Sequence, residues 1–246
     1  MYRIITLCVL LFFVSSLKAQ EYTAASVFAH NDYVHPIPFY SSYFLQAGFI
    51  EADIFLKGDE LLVAHTAPEI DEANTLESLY LNPVQKNIVK NSGYAYADKQ
   101  QQLTLMIDIK TEGVSTLSLL VKKLNKYPKL ISCPTLNIVI SGNVPSPERW
   151  KEFPAFIGFD GRPNVNYTKE QLARVKMIST DFGSVSHWNG KGIPVQEDRD
   201  KIVALRDAVH SQGKKIRFWG APDFTNAWSR LMEFNIDIIG TDDVQG

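Results

Sequence analysis

Short apolar runs alternate with segments of helical periodicity along nearly the whole chain. The apolar runs predict strands at Ser26–Ala29, Phe49–Phe55, Leu61–Ala64, Leu103–Ile109, Leu136–Ile140, Ala155–Phe159, Val175–Ser179, Lys215–Trp219 and Ile236–Gly240. Helices are predicted between them at Pro38–Ala47, Leu76–Lys90, Val114–Tyr127, Lys169–Arg174, Asp198–Gln212 and Thr225–Phe234. Because parallel strands need crossover connections, this alternation indicates an α/β protein with a parallel sheet.

The number of repeats narrows the architecture further. The run at Leu61–Ala64 follows a turn at Lys57–Glu60, so we interpret it as a hairpin arm of the preceding strand. Eight principal strands then remain, which predicts a single (β/α)8 TIM-type barrel over residues 20–246. No glycine-rich fingerprint follows the first strand, which argues against a Rossmann fold.

The first 19 residues have the pattern of a signal peptide. A basic Arg3 precedes the apolar run Ile4–Val14, and the small residues of Ser15–Ala19 follow. We therefore expect residues 1–19 to be cleaved and the protein to be secreted or periplasmic. Cys8 lies inside the apolar run and not at the cleavage point, so no lipid anchor is expected. The alternative interpretation of this run is a buried first strand.

Charge and hydropathy exclude some classes of partner. The formal net charge is −2, and signal cleavage would remove the basic residues Arg3 and Lys18. This balance argues against a nucleic-acid-binding surface. No second apolar run is long enough to span a membrane, and the sequence indicates no protein partner.

Charged residues interrupt the first predicted strands. Glu51 and Asp53 are two positions apart and therefore face the same side of their strand, as do Asp108 and Lys110. Buried carboxylates are costly unless they are paired or bind a metal. With His30 and His65 at neighbouring strand ends, the pattern predicts a site for Mg²⁺ or Ca²⁺ beside an acid/base pair.

Polar or aromatic residues also follow the remaining strands, where a barrel of this kind forms its active site. They are Asn143, Asp160, Asp181, Trp219, Asp223 and Asp242.

Four short motifs lie on or directly after the first predicted strands: His30-Asn31-Asp32, Glu51-Ala52-Asp53, Leu62-Val63-Ala64-His65 and Asp108-Ile109-Lys110. Together they resemble the phospholipase C-like phosphodiesterase superfamily, which includes glycerophosphodiester phosphodiesterases and phosphatidylinositol phospholipases C. The resemblance extends to an uncharacterised branch similar to altered inheritance of mitochondria protein 6. The further motifs for this branch are His30–Tyr33, Thr75–Pro83, Ser141–Asn143, His187–Gly190, Arg217–Asp223 and Gly240–Asp243.

The resemblance implies a role for each residue of the site. It implies that His30 and His65 are catalytic, that Glu51, Asp53 and Asp108 bind the metal, and that Lys110 contacts phosphate. We add Asn31, Arg217 and Trp219 as candidate substrate contacts. Glycerophosphodiesterases usually carry His-Arg-Gly where this chain has His30-Asn31-Asp32, and glutamate where it has Asp108.

These residues predict a metal-dependent phosphoric diester hydrolase acting on a glycerophosphodiester or a phospholipid head group, with a place in lipid metabolism. One histidine would remove a proton and the other would protonate the leaving oxygen. Two alternatives stay open: a glycoside hydrolase using the paired carboxylates, and a non-catalytic barrel that binds a phosphorylated or sugar ligand. Glu51 and Asp53 could also form a structural ion pair with Lys110.

Overall fold

A computed structural model describes residues 20–245. The predicted signal peptide, residues 1–19, lies outside the described residues. Among residues 20–245, no helix combines the length and the apolar character needed to cross a bilayer.

The strands follow the predicted runs closely. They are β1 (Val27–Ala29), β2 (Phe49–Lys57), β3 (Glu60–Val63), β4 (Leu103–Ile109), β5 (Leu136–Gly142), β6 (Ile157–Gly161), β7 (Val175–Asp181), β8 (Ile216–Trp219) and β9 (Ile239–Thr241). Strand β3 pairs antiparallel with β2, as the predicted hairpin arm requires. The helices are α1 (Tyr40–Phe44), α2 (Asn82–Lys90), α3 (Gly113–Leu124), α4 (Pro128–Ile131), α5 (Lys169–Arg174), α6 (Gln196–His210) and α7 (Thr225–Glu233).

The parallel strands form a nearly closed barrel. Their order is β8-β7-β6-β5-β4-β2-β1-β9, with β3 beside β2. An isolated parallel bridge between Arg217 and Ile238 joins the two ends of this order. The fold prediction of a TIM-type α/β barrel is confirmed.

Helix boundaries differ from the predictions where single residues disturb the backbone. The first helix is shorter than Pro38–Ala47 because Phe39 has a positive φ of 65° just before it begins. The third ends at Leu124, and Pro128 begins the separate helix α4, since proline suits only the first turn of a helix. The segment before α2 is a π-helical turn, Glu77–Leu81.

The barrel interior is apolar in its middle and polar towards the carboxyl ends of the strands. One cluster of buried side chains from β1, β2, β4, β5, β7 and the approach to β9 fills it: Phe28, Phe49, Met106, Val139, Met177 and Ile238. Phe49 faces the same side of β2 as Glu51 and Asp53, because alternate residues of a strand share a face. The carboxylates therefore stand above this apolar layer, towards the carboxyl ends of the strands.

Candidate active site

Three carboxylates meet where β2 lies beside β4. Asp53 pairs in register with Asp108, and Glu51 lies two residues before Asp53. One oxygen from each of Glu51, Asp53 and Asp108 lies within 4.8 Å of the others. In the described part of the chain, this is the group of side chains that could hold a metal ion.

The negative charges of the three carboxylates are only partly balanced by the positive groups around them. Glu51 is 4% exposed, and burial raises its pKa although Arg217 and His30 lower it. Burial also raises the pKa of Asp108, against the opposing effect of Lys110. A divalent cation would supply the missing positive charge, and carboxylate oxygens are the ligands that Mg²⁺ and Ca²⁺ prefer. The residues therefore fit a hard divalent cation.

Lys110 follows the end of β4 and contacts two of the three carboxylates. Its Nζ lies 2.9 Å from Asp53 Oδ2 and 2.9 Å from Asp108 Oδ1. Burial lowers the pKa of Lys110, but Asp108 and Asp53 outweigh it and raise the pKa above its ordinary value. Lys110 therefore stays positively charged.

His30 ends β1 and lies between two acidic groups. Its Nδ1 is 2.7 Å from Asp242 Oδ1, and its Nε2 is 3.6 Å from Glu51 Oε2. Asp242, which the sequence placed only among the polar residues that follow the strands, therefore orients this imidazole. A carboxylate at Nδ1 places the proton there and leaves Nε2 free to accept one.

His65 and Tyr33 contact the cluster at Asp53. His65 Nδ1 lies 3.3 Å from Asp53 Oδ2 and 3.2 Å from the Tyr33 hydroxyl. The Tyr33 hydroxyl also lies within donating distance of Asp53 Oδ2, at 2.8 Å. Sequence reasoning gave Tyr33 no role, although it stood in the quoted motif His30–Tyr33.

Asn31 contacts protein groups through both its backbone and its side chain. It has a left-handed backbone with φ of 49°, which asparagine tolerates better than most residues. Its backbone N–H donates to Glu51 Oε2 at 3.2 Å, and its amide oxygen accepts from the Tyr33 hydroxyl at 2.7 Å. Asn31 thus links the carboxylate cluster to Tyr33, and a role in substrate binding stays a prediction.

A buried aspartate fixes the loop that carries these residues. Asp32 is fully buried and accepts hydrogen bonds from the Phe39 backbone, the Ser42 hydroxyl and the Tyr80 hydroxyl. Tyr80 belongs to the motif Thr75–Pro83. This contact connects two sequence motifs that are about 50 residues apart.

Two arginines lie on the opposite wall of the barrel mouth. Arg162, which the sequence analysis missed, donates to Asp160 Oδ2 at 2.7 Å. Arg217 is 4% exposed and stacks on the Phe28 ring at 3.5 Å, and its buried Nε has no hydrogen-bond partner within the described residues. Burial lowers the pKa of Arg217, although Glu51 and Asp160 oppose the shift.

These groups surround one cavity of about 400 Å³. Its lining includes most of the predicted site residues, together with Ser141, Asn143 and Arg162: His30, Glu51, Asp53, Asp108, Lys110, Arg217 and Trp219. Asn31 and His65 are not part of that lining. A cavity of about 470 Å³ at the opposite end of the barrel, near Thr104 and Lys176, contacts none of the predicted site residues.

Comparisons with known proteins identify relatives of this chain. The family model of the AIM6-like phosphodiesterase domain matches residues 18–130. An altered inheritance of mitochondria protein 6 homolog from Arthroderma benhamiae is 34% identical over 262 aligned positions, covering 89% of this chain and 81% of the relative. Altered inheritance of mitochondria protein 6 from Eremothecium gossypii is 24% identical, covering 89% of this chain and 67% of the relative.

A solved structure shares the fold. A glycerophosphodiester phosphodiesterase from Parabacteroides distasonis superimposes with a TM-score of 0.54 at 14% identity, covering 88% of this chain and 92% of that one. At this identity the likeness supports the fold alone. The match to the family model and the 34% identical relative from Arthroderma benhamiae show that this chain belongs to the AIM6-like phosphodiesterase family.

Proposed function

We propose that this protein is an exported, metal-dependent phosphodiesterase that hydrolyses a glycerophosphodiester or a phospholipid head group. The observation that carries the proposal is the convergence of Glu51, Asp53 and Asp108 within 4.8 Å, with one imidazole beside Glu51 and another beside Asp53. When bound there, Mg²⁺ or Ca²⁺ would neutralise charge that develops on a phosphoryl oxygen.

The two histidines divide the proton transfers. His30 accepts a proton at Nε2 from the attacking water, because Asp242 holds its Nδ1. As the new P–O bond forms and the ester P–O bond breaks, His65 donates a proton to the departing oxygen. Tyr33 keeps the His65 ring in place through its hydroxyl.

Positive side chains receive the anionic phosphodiester. Lys110 is positively charged and lines the cavity, as do Arg162 and Arg217. Arginine and lysine bind phosphate through charge-assisted hydrogen bonds. These three cations support a phosphoryl substrate over the sugar of a glycoside hydrolase.

The test measures hydrolysis of bis(p-nitrophenyl) phosphate by the purified protein with Mg²⁺, with Ca²⁺ and with a chelator. We expect metal-dependent turnover, and a decrease of at least roughly a hundredfold in His30→Ala and in His65→Ala. Metal affinity should change little in both variants, because neither histidine is a proposed ligand.

His210→Ala is the matched control. Its imidazole contacts Asp237 at 2.7 Å, the same separation as between His30 and Asp242, but it lies at the end of α6. The control should keep its turnover. Near-full metal-dependent activity in both His30→Ala and His65→Ala would rule out the proposed acid/base pair.

A further inference from the structure

Exposed apolar side chains gather at the end of the barrel that carries the site. Of ten large apolar side chains that are exposed within residues 20–245, seven lie on a loop or strand end at the carboxyl side of the barrel. They are Val34, Ile37, Val165, Ile193, Val195, Trp219 and Phe224. Single exposed apolar residues are ordinary, but their concentration around one opening needs a cause.

Six of these residues lie on loops or strand ends on one side of the mouth, and we call them the apolar rim: Val34, Ile37, Ile193, Val195, Trp219 and Phe224. They follow strands β1, β7 and β8, and β9 lies between β1 and β8 in the barrel. The loop after β1 touches the loop after β9, where His35 Nε2 lies 3.0 Å from the Asp242 carbonyl oxygen. The rim therefore borders the mouth on one side.

The loops of the rim are fastened together. Asn226 of α7 donates from its side-chain amide to the carbonyl oxygens of Gly190 and Gly192. A Cβ at Gly190 would lie 2.5 Å from the Phe224 ring, so the loops after β7 and β8 are in close contact. Ile193, 72% exposed, and Val195, 66% exposed, are thus held outward by an anchored loop.

Trp219 connects the rim with the site. It is 44% exposed and lines the same cavity as His30, Glu51 and Lys110. A protein partner or a second copy seated on the rim would cover this cavity. A lipid surface would instead present phosphodiester groups to it while the apolar side chains enter the acyl region.

The charges near the rim decide which lipid surface fits. Asp223, Asp242 and Asp243 lie exposed beside the mouth and outnumber Lys191, the exposed basic residue of the loop that carries Ile193, so their charge would repel an anionic membrane. Apolar insertion into a zwitterionic surface does not need basic residues.

We propose that the apolar rim docks the protein on a zwitterionic lipid surface and that the substrate is a phosphodiester within that surface. The inference rests on the proposed phosphodiesterase function and specifies its substrate class. Docking itself needs no turnover, so the two can be measured separately.

The experiment is co-flotation of the full mature protein with phosphatidylcholine vesicles. The double variant Ile193→Ser/Val195→Ser should lower the vesicle-bound to free ratio by roughly tenfold or more, since each side chain loses apolar area that would enter the lipid. Its turnover of soluble bis(p-nitrophenyl) phosphate should equal that of wild type. High salt should leave wild-type binding intact, because salt screens charge attraction but not apolar insertion.

The matched control is Phe44→Ser/Val89→Ser, whose side chains are 71% and 52% exposed away from the mouth. Its vesicle-bound to free ratio should stay within about twofold of wild type, because these side chains would not enter the lipid and so lose no apolar burial on docking. Docking on a lipid surface would be overturned by an equal loss of vesicle binding in both double variants, or by a wild type that turns over the soluble ester but does not float. A wild-type dimer in light scattering that becomes a monomer in Ile193→Ser/Val195→Ser would also overturn it. A wild type that floats yet cleaves no phosphodiester would uphold docking and overturn the proposed function instead.

Discussion

Gly142 shows how a single backbone position limits the carboxylate cluster. It ends β5 with φ of 73°, where an added Cβ would lie 2.5 Å from Asp108 Oδ1 and 2.5 Å from the Ile109 carbonyl oxygen. A larger residue there must displace either the carboxylate or the backbone of β4. The sequence motif Ser141–Asn143 thus contains a glycine for geometric reasons.

Gly142→Ala should therefore lower both stability and metal affinity. We expect a loss of roughly 2–4 kcal/mol in the free energy of unfolding, from left-handed strain and overpacking together. The Kd for Mg²⁺ or Ca²⁺ should rise by at least about tenfold, because Asp108 is displaced. Urea unfolding and isothermal titration calorimetry measure the two effects.

Gly58→Ala is the control for strain alone. Gly58 has a similar φ of 60°, but nothing lies within 4 Å of an added Cβ. It should cost only about 1 kcal/mol and leave metal binding unchanged. If the two variants bind metal equally well, Gly142 does not position Asp108.

At the scale of elements, the junction between β4 and α3 holds Lys110. Asn143 donates from its side-chain amide to the carbonyl oxygens of Lys110 and Thr111 at 3.1 Å. Glu112 caps α3 by accepting from the backbone N–H groups of Val114 and Ser115 at 3.0 and 2.8 Å. The capping residue lies two positions after the lysine and fixes the start of the helix at Gly113.

Glu112→Gln should lower the thermal midpoint at neutral pH, with a difference that narrows in acid. Hydrogen bonds from Ser115 and Val114 lower the pKa of Glu112 from 4.5 to about 2. Because the folded pKa lies below the unfolded one, the stabilisation is complete above pH 4.5 and is lost as pH falls towards 2. Scanning calorimetry of both proteins between pH 7 and pH 3 checks this, and a constant difference would contradict the cap.

At the scale of the whole molecule, the carboxylate cluster joins two neighbouring strands of the barrel. Glu51 and Asp53 come from β2, and Asp108 comes from β4. A cation bound only by the folded barrel stabilises it by mass action. The buried negative charge without metal has the opposite effect.

Saturating Mg²⁺ or Ca²⁺ should raise the thermal midpoint of the wild type. At a metal concentration about a hundredfold above Kd the gain is roughly 2.7 kcal/mol, or about 5–10 °C for a chain of this size. Glu51→Gln should abolish this increment, and without metal it should be no less stable than wild type, since burial already disfavours the Glu51 carboxylate.

Glu233→Gln serves as its control, because Glu233 pairs with Arg230 on the surface of α7. This variant should keep the full metal-dependent increment in differential scanning fluorimetry. A wild type whose midpoint does not respond to either cation would contradict the metal site.

The sequence by itself determined the barrel and the local placement of its carboxylates. Strands such as Leu103–Ile109 are recognisable because they are apolar runs of the length of a strand that lie between helical segments. The two-residue period of a strand put Glu51 and Asp53 on one face before any contact was known. The predicted start of the first helix was wrong by two residues. The positive φ of Phe39, which delays that start, is set by surrounding contacts and not by the type of its side chain.

Only the tertiary structure decided which distant groups complete the site. Asp242 contacts His30 across 212 positions of sequence, and that pairing exists because β9 returns to lie beside β1. The Tyr33 hydroxyl meets His65 for a similar reason, since the loop after β1 folds across the end of the β2–β3 hairpin. Sequence periodicity fixes which way a side chain leaves its own strand, whereas closure of the barrel fixes which side chains it meets.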